Sequence, residues 1–558
     1  MTSVLLRLRL IVMAAGMSVS PAGELCAETP GDETLVIRLV HPERQAAEVL
    51  SLFAGSRAPH PAAALAAWKR TTRDPGQLGK PLEAVIALFN PEMAREWGVL
   101  HEAELRLDLS AAGGKPRWYA VVPRDDGTVA AAVTAQRLTD GGQEPPLGEE
   151  GSGSGVERLG PPGSTVATQI GDALILGSSR DELMRALRRI RGEAGALRPT
   201  GPARAGESVI AGALDRLDSG LLFVLDPGRL TAPGDGELAW RRATELFRGL
   251  ECRRLQGSLA LKGERLALEV TTLLDRDTRT QPPAATTAAV EPGWLERVPA
   301  AGVMGVMSMA FEPSAAFWSS AFALADRVER ADPARAELAP LRGRVNLLAD
   351  VAGVKLEVDL WPHLRGLTAS IMRDAEQPGI PTGALLVLHV DAEASAERLA
   401  TELLPRLGTL LTGKKRPEER PRAAAGPGDA RKLGMVNGRG LTVWQRGRDV
   451  LVAWGDDVWT ACRDVTGRPE RSVAPLCGGW AREGKRAPQR VGAVWPARCW
   501  SPIRGPAATS PAWRTLAEDP PVVWWGWNEA TTAFDSIHCS GLRQRVHRFL
   551  DRVPGSGQ

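Results

Sequence analysis

Short stretches of alternating apolar and polar residues recur along the chain, each followed by a run with helical spacing. Val36-Ile37-Arg38-Leu39-Val40 alternates, stops at Pro42 and leads into helically spaced apolar residues from Gln45 to Phe53. Val306-Met307-Ser308-Met309-Ala310-Phe311 stops at Pro313 and leads into a similar run from Ala316 to Val328. A period of two reads as a strand and a period near 3.6 as an amphipathic helix. Proline ends the strand because it has no N–H to give to a ladder.

The same order continues in each half. Arg117 to Val122 is a strand candidate before a helical run from Val129 to Leu138, and Ala384 to Val390 is one before a run from Ala394 to Leu410. Gln169-Ile170-Gly171-Asp172 then turns into Ala173 to Leu176, and Gln445-Arg446-Gly447-Arg448 into Val450 to Ala453. In both, glycine falls where a hairpin needs a permissive backbone. Polar caps follow at Ser178 to Asp181 and at Gly455 to Asp457, predicting helices from Glu182 to Ile190 and from Val458 to Val465. In the first half, Leu221 to Leu225 precedes a helix from Leu238 to Leu250 and a hairpin about Gly263. In the second, Gly492 to Trp495 precedes a helix from Trp513 to Glu518 and a hairpin about Asn528. The helices around residues 181–189 and 240–250 are amphipathic and are expected to pack on a sheet.

This shared order predicts an α+β fold of two diverged copies. Each is a largely antiparallel sheet of five or more strands with helices packed on one face. The copies are expected at 28–275 and 296–558, joined by a Thr/Ala/Pro-rich linker at 276–295 that reads as extended. Two insertions, the acidic Asp140 to Gly163 and the basic Gly413 to Lys432, read as solvated loops.

The first 27 residues have the layout of a secretory signal peptide: Arg7 and Arg9, an apolar run from Leu10 to Val19, then small residues at Ala22, Gly23 and Ala27. The apolar run is about half of the ~20 residues a spanning helix needs. An exported chain, periplasmic or secreted, is therefore expected, with no transmembrane segment after the signal peptide.

Composition narrows the classes. A chain of 558 residues exceeds one ordinary core, and 43% hydrophobic with 24% charged residues suits a folded protein. The formal charge of +3, from 69 basic and 66 acidic residues, gives no basic face for nucleic acid. Of six cysteines, Cys26 lies beside the expected cleavage point and Cys252 stands apart. Cys462, Cys477, Cys499 and Cys539 form a late cluster. In an oxidising compartment these four are candidates for two disulfides of undetermined pairing, with four buried thiols as the alternative.

Catalytic motifs are wanting. Gly151 to Gly155 is out of register for a nucleophile elbow, and Lys80 and Lys414 follow glycines without the rest of a phosphate loop. His101-Glu102-Ala103-Glu104 lacks the second histidine that would share a zinc ion. His41, His60, His101, His363, His389, His538 and His547 show no metal spacing and are expected to serve packing. No catalytic residue, cofactor or metal ligand is therefore assigned. The tryptophans stand out: ten of the 17 lie between Trp444 and Trp527. Alternation places Trp525 and Trp527 on one strand face and Trp524 on the other. They are expected to fill the core of the second half. The alternative is an exposed aromatic surface at Trp524, Trp525 and Trp527 that stacks on sugars or a partner.

The stretch from Gly171 to Leu183 (GDALILGSSRDEL), and more loosely Gly353 to Leu367 and Pro381 to Val390, resembles uncharacterised exported bacterial proteins classed as a domain of unknown function. That resemblance brings no activity and no site residues. The expected role is a non-catalytic envelope protein that binds or scaffolds an envelope protein or polysaccharide. The alternatives are an exported hydrolase acting on an envelope polymer at a site between the halves, and a carrier of an apolar ligand.

Overall fold

The computed structural model describes residues 35–61, 63–64, 102–108, 117–123, 143–144, 156–159, 165–170, 173–190, 219–229, 245–250, 252–274, 288–312, 315–330, 340–373, 382–412, 430–477, 487–495, 498, 520–529 and 532–551. The expected signal peptide and the helices expected at 129–138 and 513–518 lie outside them. The chain forms two compact units. An N-terminal unit takes 24–236, 253–272 and 541–558, and a C-terminal unit takes 237–252 and 273–540. A single cut in the linker does not separate them, because the last helix, Leu542–Leu550, belongs with the first unit.

The N-terminal unit contains β1 (Leu35–Val40), β2 (Glu102–Asp108), β3 (Arg117–Pro123), β4 (Gln143–Glu144), β5 (Val156–Leu159), β6 (Thr165–Ile170), β7 (Ala173–Gly177), β8 (Gly220–Leu225), β9 (Cys252–Lys262) and β10 (Arg265–Leu274). Antiparallel pairing runs β4-β5-β6-β7-β3-β2-β1-β8-β9, and β10 pairs with β9. The glutamate of the incomplete zinc motif, Glu102, opens β2 opposite Val40. Strands β4 and β5 correct the reading of 140–163 as loop throughout: Glu157 to Leu159 extend the ladder beside β6.

Two helices serve this unit. In α1 (Pro42–Phe53) proline occupies the first turn, where a missing N–H costs nothing. Gln45 of α1 donates to the Leu261 carbonyl and accepts from its N–H, fixing the helix to β9. Phe53 packs with Val546 and Leu550 of the last helix. In α2 (Arg180–Ile190) the Ser179 hydroxyl accepts from the Glu182 N–H, the expected cap. Its Leu183, Ala186 and Leu187 close over Tyr119, Val166 and Ile175.

The C-terminal unit contains β11 (Val303–Ala310), β12 (Leu364–Met372), β13 (Gly383–Val390), β14 (Arg431–Val436), β15 (Arg439–Arg446), β16 (Asp449–Trp454), β17 (Arg490–Val494), β18 (Val522–Glu529) and β19 (Thr532–Cys539). They pair antiparallel in the order β14-β15-β16-β13-β12-β11-β17-β18-β19. Asn528 is not a turn: it sits within β18 opposite Ala533, and the connection falls after Glu529. Strand β14 begins inside the stretch read as a basic loop, because Leu433 and Val436 give it apolar positions.

Helices cover both faces of this sheet, not one. On one side lie α4 (Ala315–Arg330), α5 (Leu341–Val351), α6 (Leu356–Asp359) and α7, which runs through Glu393–Arg398, a π turn at Leu399–Leu403, and Leu404–Thr412. Their Phe317, Trp318, Phe322, Ala349, Leu356 and Leu399 pack on Met307, Met309, Leu388, Val390, Val443 and Val450. On the other side α3 (Pro292–Leu295), α8 (Asp456–Asp464) and α9 (Ala474–Cys477) cover Val306, Leu385, Val387, Leu451, Val491 and Trp525. The reason is visible along β11, where all eight residues are buried. A strand that buries both faces needs a layer on each side. The expected linker at 276–295 accordingly ends in core, with Val290 and the α3 residues Trp294 and Leu295 buried. Among the described residues no helix is long and apolar enough to cross a membrane.

Tryptophan size is matched by glycine. A Cβ on Gly492 would lie 2.0 Å from the Trp524 ring on the neighbouring strand. Gly492→Ala is expected to destabilise the C-terminal unit by about 1–3 kcal/mol through overpacking. In a thermal-melt double-mutant cycle with Trp524→Leu, the two costs should add to less than their sum.

Candidate functional site

A line of polar side chains crosses four adjacent strands on the α3 side of the C-terminal sheet. Period-two alternation puts Ser308 of β11, Thr368 of β12, His389 of β13 and Asp449 of β16 on that face. Ser308 is paired directly with Thr368, and His389 with Asp449. Ser308 Oγ and Thr368 Oγ1 are 2.8 Å apart. Thr368 Oγ1 and His389 Nε2 are 2.8 Å apart, and His389 Nδ1 and Asp449 Oδ1 2.7 Å. Arg297, just beyond α3, donates from Nε to Asp449 Oδ2 at 2.7 Å.

The acceptor at one end sets the direction of every bond. Ionised Asp449 only accepts, so His389 donates from Nδ1. The other nitrogen of a neutral imidazole then accepts from the Thr368 hydroxyl, which accepts in turn from Ser308. Burial pushes the His389 pKa down, against the Asp449 hydrogen bond and charge, so the ring is held neutral. Burial pushes the Asp449 carboxyl up, but hydrogen bonds from His389 and Arg297 and their charges outweigh it and leave it below the usual carboxylate range.

Trp294 roofs the line. Its ring stacks on His389 with centroids 3.9 Å apart and planes 4° from parallel. The space comes from Gly366, opposite His389 on β12, where a Cβ would lie 2.3 Å from the indole. Ser308 and Thr368 are 0% exposed and His389 2%. The order hydroxyl, imidazole, carboxylate is that of a nucleophile activated by a base, but no surface leads to the hydroxyl. Here the chain joins strands.

A second polar cluster lies across β17, β18 and β19. Arg490 donates to both carboxylate oxygens of Asp535, at 2.7 and 2.8 Å, to Asn528 Oδ1 at 2.6 Å and to the Phe534 carbonyl at 3.0 Å. This bidentate pairing is what a buried guanidinium needs. His363, half-buried, lies 3.1 Å from Asp391 Oδ2 through Nδ1, with Ser395 Oγ 3.4 Å from the same nitrogen. Two partners on one nitrogen make no relay. Among the described residues no His, Cys, Asp and Glu group could hold a metal ion.

The three tryptophans do not form one exposed surface. Trp525 is 2% exposed and stacks on His538 at 4.2 Å. Trp527 is half-buried against Phe534 on the same side, and Trp524 is half-buried against the opposite core. Cys462 of α8 and Cys477 of α9 are buried free thiols on the sides of those helices that face the core, Cys539 is of intermediate exposure, and Cys499 lies outside the described residues. Burial pushes the Cys462 and Cys477 thiols up to about 12. The polar line escaped notice because its residues are 60 or more positions apart in places. The available sign was a lone polar residue on the inward face of an otherwise apolar strand, as at Ser308 and His389.

No family model matches the chain, and no curated protein matches it. Among solved structures, crystal form I of TP0453 aligns at 7% identity over 46% of this chain and 82% of its own, with a TM-score of 0.24. Crystal form III aligns at 8% identity over 48% and 82%, with a TM-score of 0.23. A 5-dimethylallyl tryptophan synthase from Streptomyces coelicolor aligns at 12% identity over 76% and 97%, with a TM-score of 0.09. Likenesses at this level carry no argument about fold or role.

Thr368→Val removes the middle of the line and leaves His389 Nε2 buried without a donor. A loss of about 1–3 kcal/mol is expected from denaturant unfolding. Acid should weaken the unit through His389. Below about pH 6.5 the unfolded chain binds a proton at this ring that the folded chain refuses, so stability falls as pH falls. The denaturation midpoint should drop between pH 7 and pH 5, and His389→Gln should flatten that slope; an unchanged slope would mean that the ring is charged in the fold.

Proposed function

We propose that this chain is an exported, non-catalytic envelope protein that binds or scaffolds an envelope protein or polysaccharide. The observation that carries the proposal is the sealed polar line. The one described constellation with the order of a hydrolytic site has its hydroxyls fully buried and committed to one another. Large exposed apolar side chains lie elsewhere, with Leu347, Leu348 and Val351 on one helix and Val358, Met435 and Leu476 beyond it. Contiguous exposed apolar surface marks interaction sites. Export, with residues 1–27 as a signal peptide, rests on the arginines and apolar run of the N-terminus. Membership of a family of exported domains of unknown function is part of the same proposal.

The proposal includes duplication. The strand order β5-β6-β7-β3-β2-β1-β8-β9-β10 of the N-terminal unit is repeated by β14-β15-β16-β13-β12-β11-β17-β18-β19. Non-sequential order of this kind is unlikely to arise twice by chance, and it supports two diverged copies more strongly than the residue patterns do.

Crosslinking of tagged, full-length protein in its native envelope, followed by mass spectrometry, tests this reading. The expected result is a chain processed near Ala27, joined to one dominant protein or polymer. A chain with its first residues intact in the cytosolic fraction, or turnover of an envelope polymer by the purified protein, would overturn it.

A further inference from the structure

Helix α5 has two unlike sides. Ala349 is buried, and Leu341 and Val345 pack on the aromatic core of the C-terminal unit. The other side carries Leu347, 64% exposed, and Val351, 63%, with Leu348, 49%, at the edge of the packed side; Val358 of α6 lies nearby in sequence at 63%. Gly343 is exposed one turn before Leu347, and Val351 one turn after. These three positions, four residues apart, make one ridge of the helix.

Two features of this ridge bear on what it meets. Gly343 lies in the helix, where glycine costs about 1 kcal/mol relative to alanine, yet a Cβ there would meet nothing within 4 Å. The charges also run against the helix's own dipole. Arg342 and Arg344 sit in the first turn and Asp350 in the last, the reverse of the favourable arrangement.

We infer that α5 is a homodimer interface in which it packs antiparallel against α5 of a second copy. A two-fold axis near Leu347 sets Gly343 of each copy against Val351 of the other, a gap against a side chain. The same axis brings the last turn of one helix, with Asp350, beside the first turn of the other, with Arg342 and Arg344. Each misplaced charge then faces the opposite end of a neighbouring dipole. Among the described residues Asp350 makes no ion pair, whereas Arg342 is 2.6 Å from Glu357 and Arg344 pairs with Glu329. The arginines so balanced leave little net positive charge for an anionic membrane, and self-complementarity favours a second copy over a foreign partner. The ridge is part of the exposed apolar surface cited for the binding role, so a dimer here leaves that role resting on the sealed polar line.

Sedimentation of the full chain across a dilution series tests it. The wild type should dimerise reversibly, and Leu347→Glu should raise the dimer dissociation constant at least about tenfold without changing the circular dichroism spectrum. Val351→Arg serves equally should Leu347→Glu fail to fold. Asp350→Arg should weaken the dimer, and adding Arg342→Glu should recover much of the loss, which only a pairing of first turn with last turn predicts. A wild-type chain that stays monomeric at every concentration overturns the inference, as does a dimer indifferent to both Leu347→Glu and Val351→Arg. So does a monomer that binds lipid vesicles through Leu347.

Discussion

The bond between His389 and Asp449 is the constraint around which the C-terminal unit is arranged. A carboxylate and an imidazole set among Leu385, Val387, Leu451 and Ala453 are costly to bury unless each polar atom finds a partner. The partners come from four strands and from Arg297, just beyond α3. They need Gly366 to clear space, Trp294 to cover the ring and Arg297 to neutralise the carboxylate. Losing register by one residue would turn His389 toward the opposite core and leave Asp449 without its donor. An all-apolar sheet could slide with less penalty, so the line specifies register as well as contributing bonds. It also anchors the start of the unit, because Trp294 and Arg297 belong to the segment that leads into β11.

Much of the fold was legible in residue patterns. Strands β1, β3, β11 and β13, the glycine turns at Gly263 and Gly447, and the helices after β7 and β16 follow from local periodicity and caps. What was not legible depended on distant partners. The second helical layer over the C-terminal sheet is set by how much apolar surface the strands carry on each side, and β11 reads as a strand whichever face is covered. The extent of β18 past Asn528 is decided by Ala533 and Thr532 across the ladder, not by the turn-forming tendency of asparagine. Trp294 looked like the end of a linker, because the proline and alanine before it gave no hint of the imidazole on which it lies.

The candidate site illustrates the same limit. Each of its residues, taken singly, is an ordinary polar interruption in an apolar strand. Only strand order makes them neighbours, and that order is non-sequential, with β13 between β12 and β16. The exposed side of α5 lay equally hidden, since a helix with Leu347, Leu348, Ala349 and Val351 reads as a core helix until one side is seen to face solvent.

The thiols of Cys462 and Cys477 have a practical consequence. Disulfide exchange needs a thiolate, and two groups pushed up to about 12 in a dry core supply almost none at neutral pH. Both sit on the core-facing sides of helices that must lift before a reagent can reach them. The native protein thus carries an internal clock: the rate at which these sulfurs become modifiable records how often α8 and α9 come away from the sheet, with no label added.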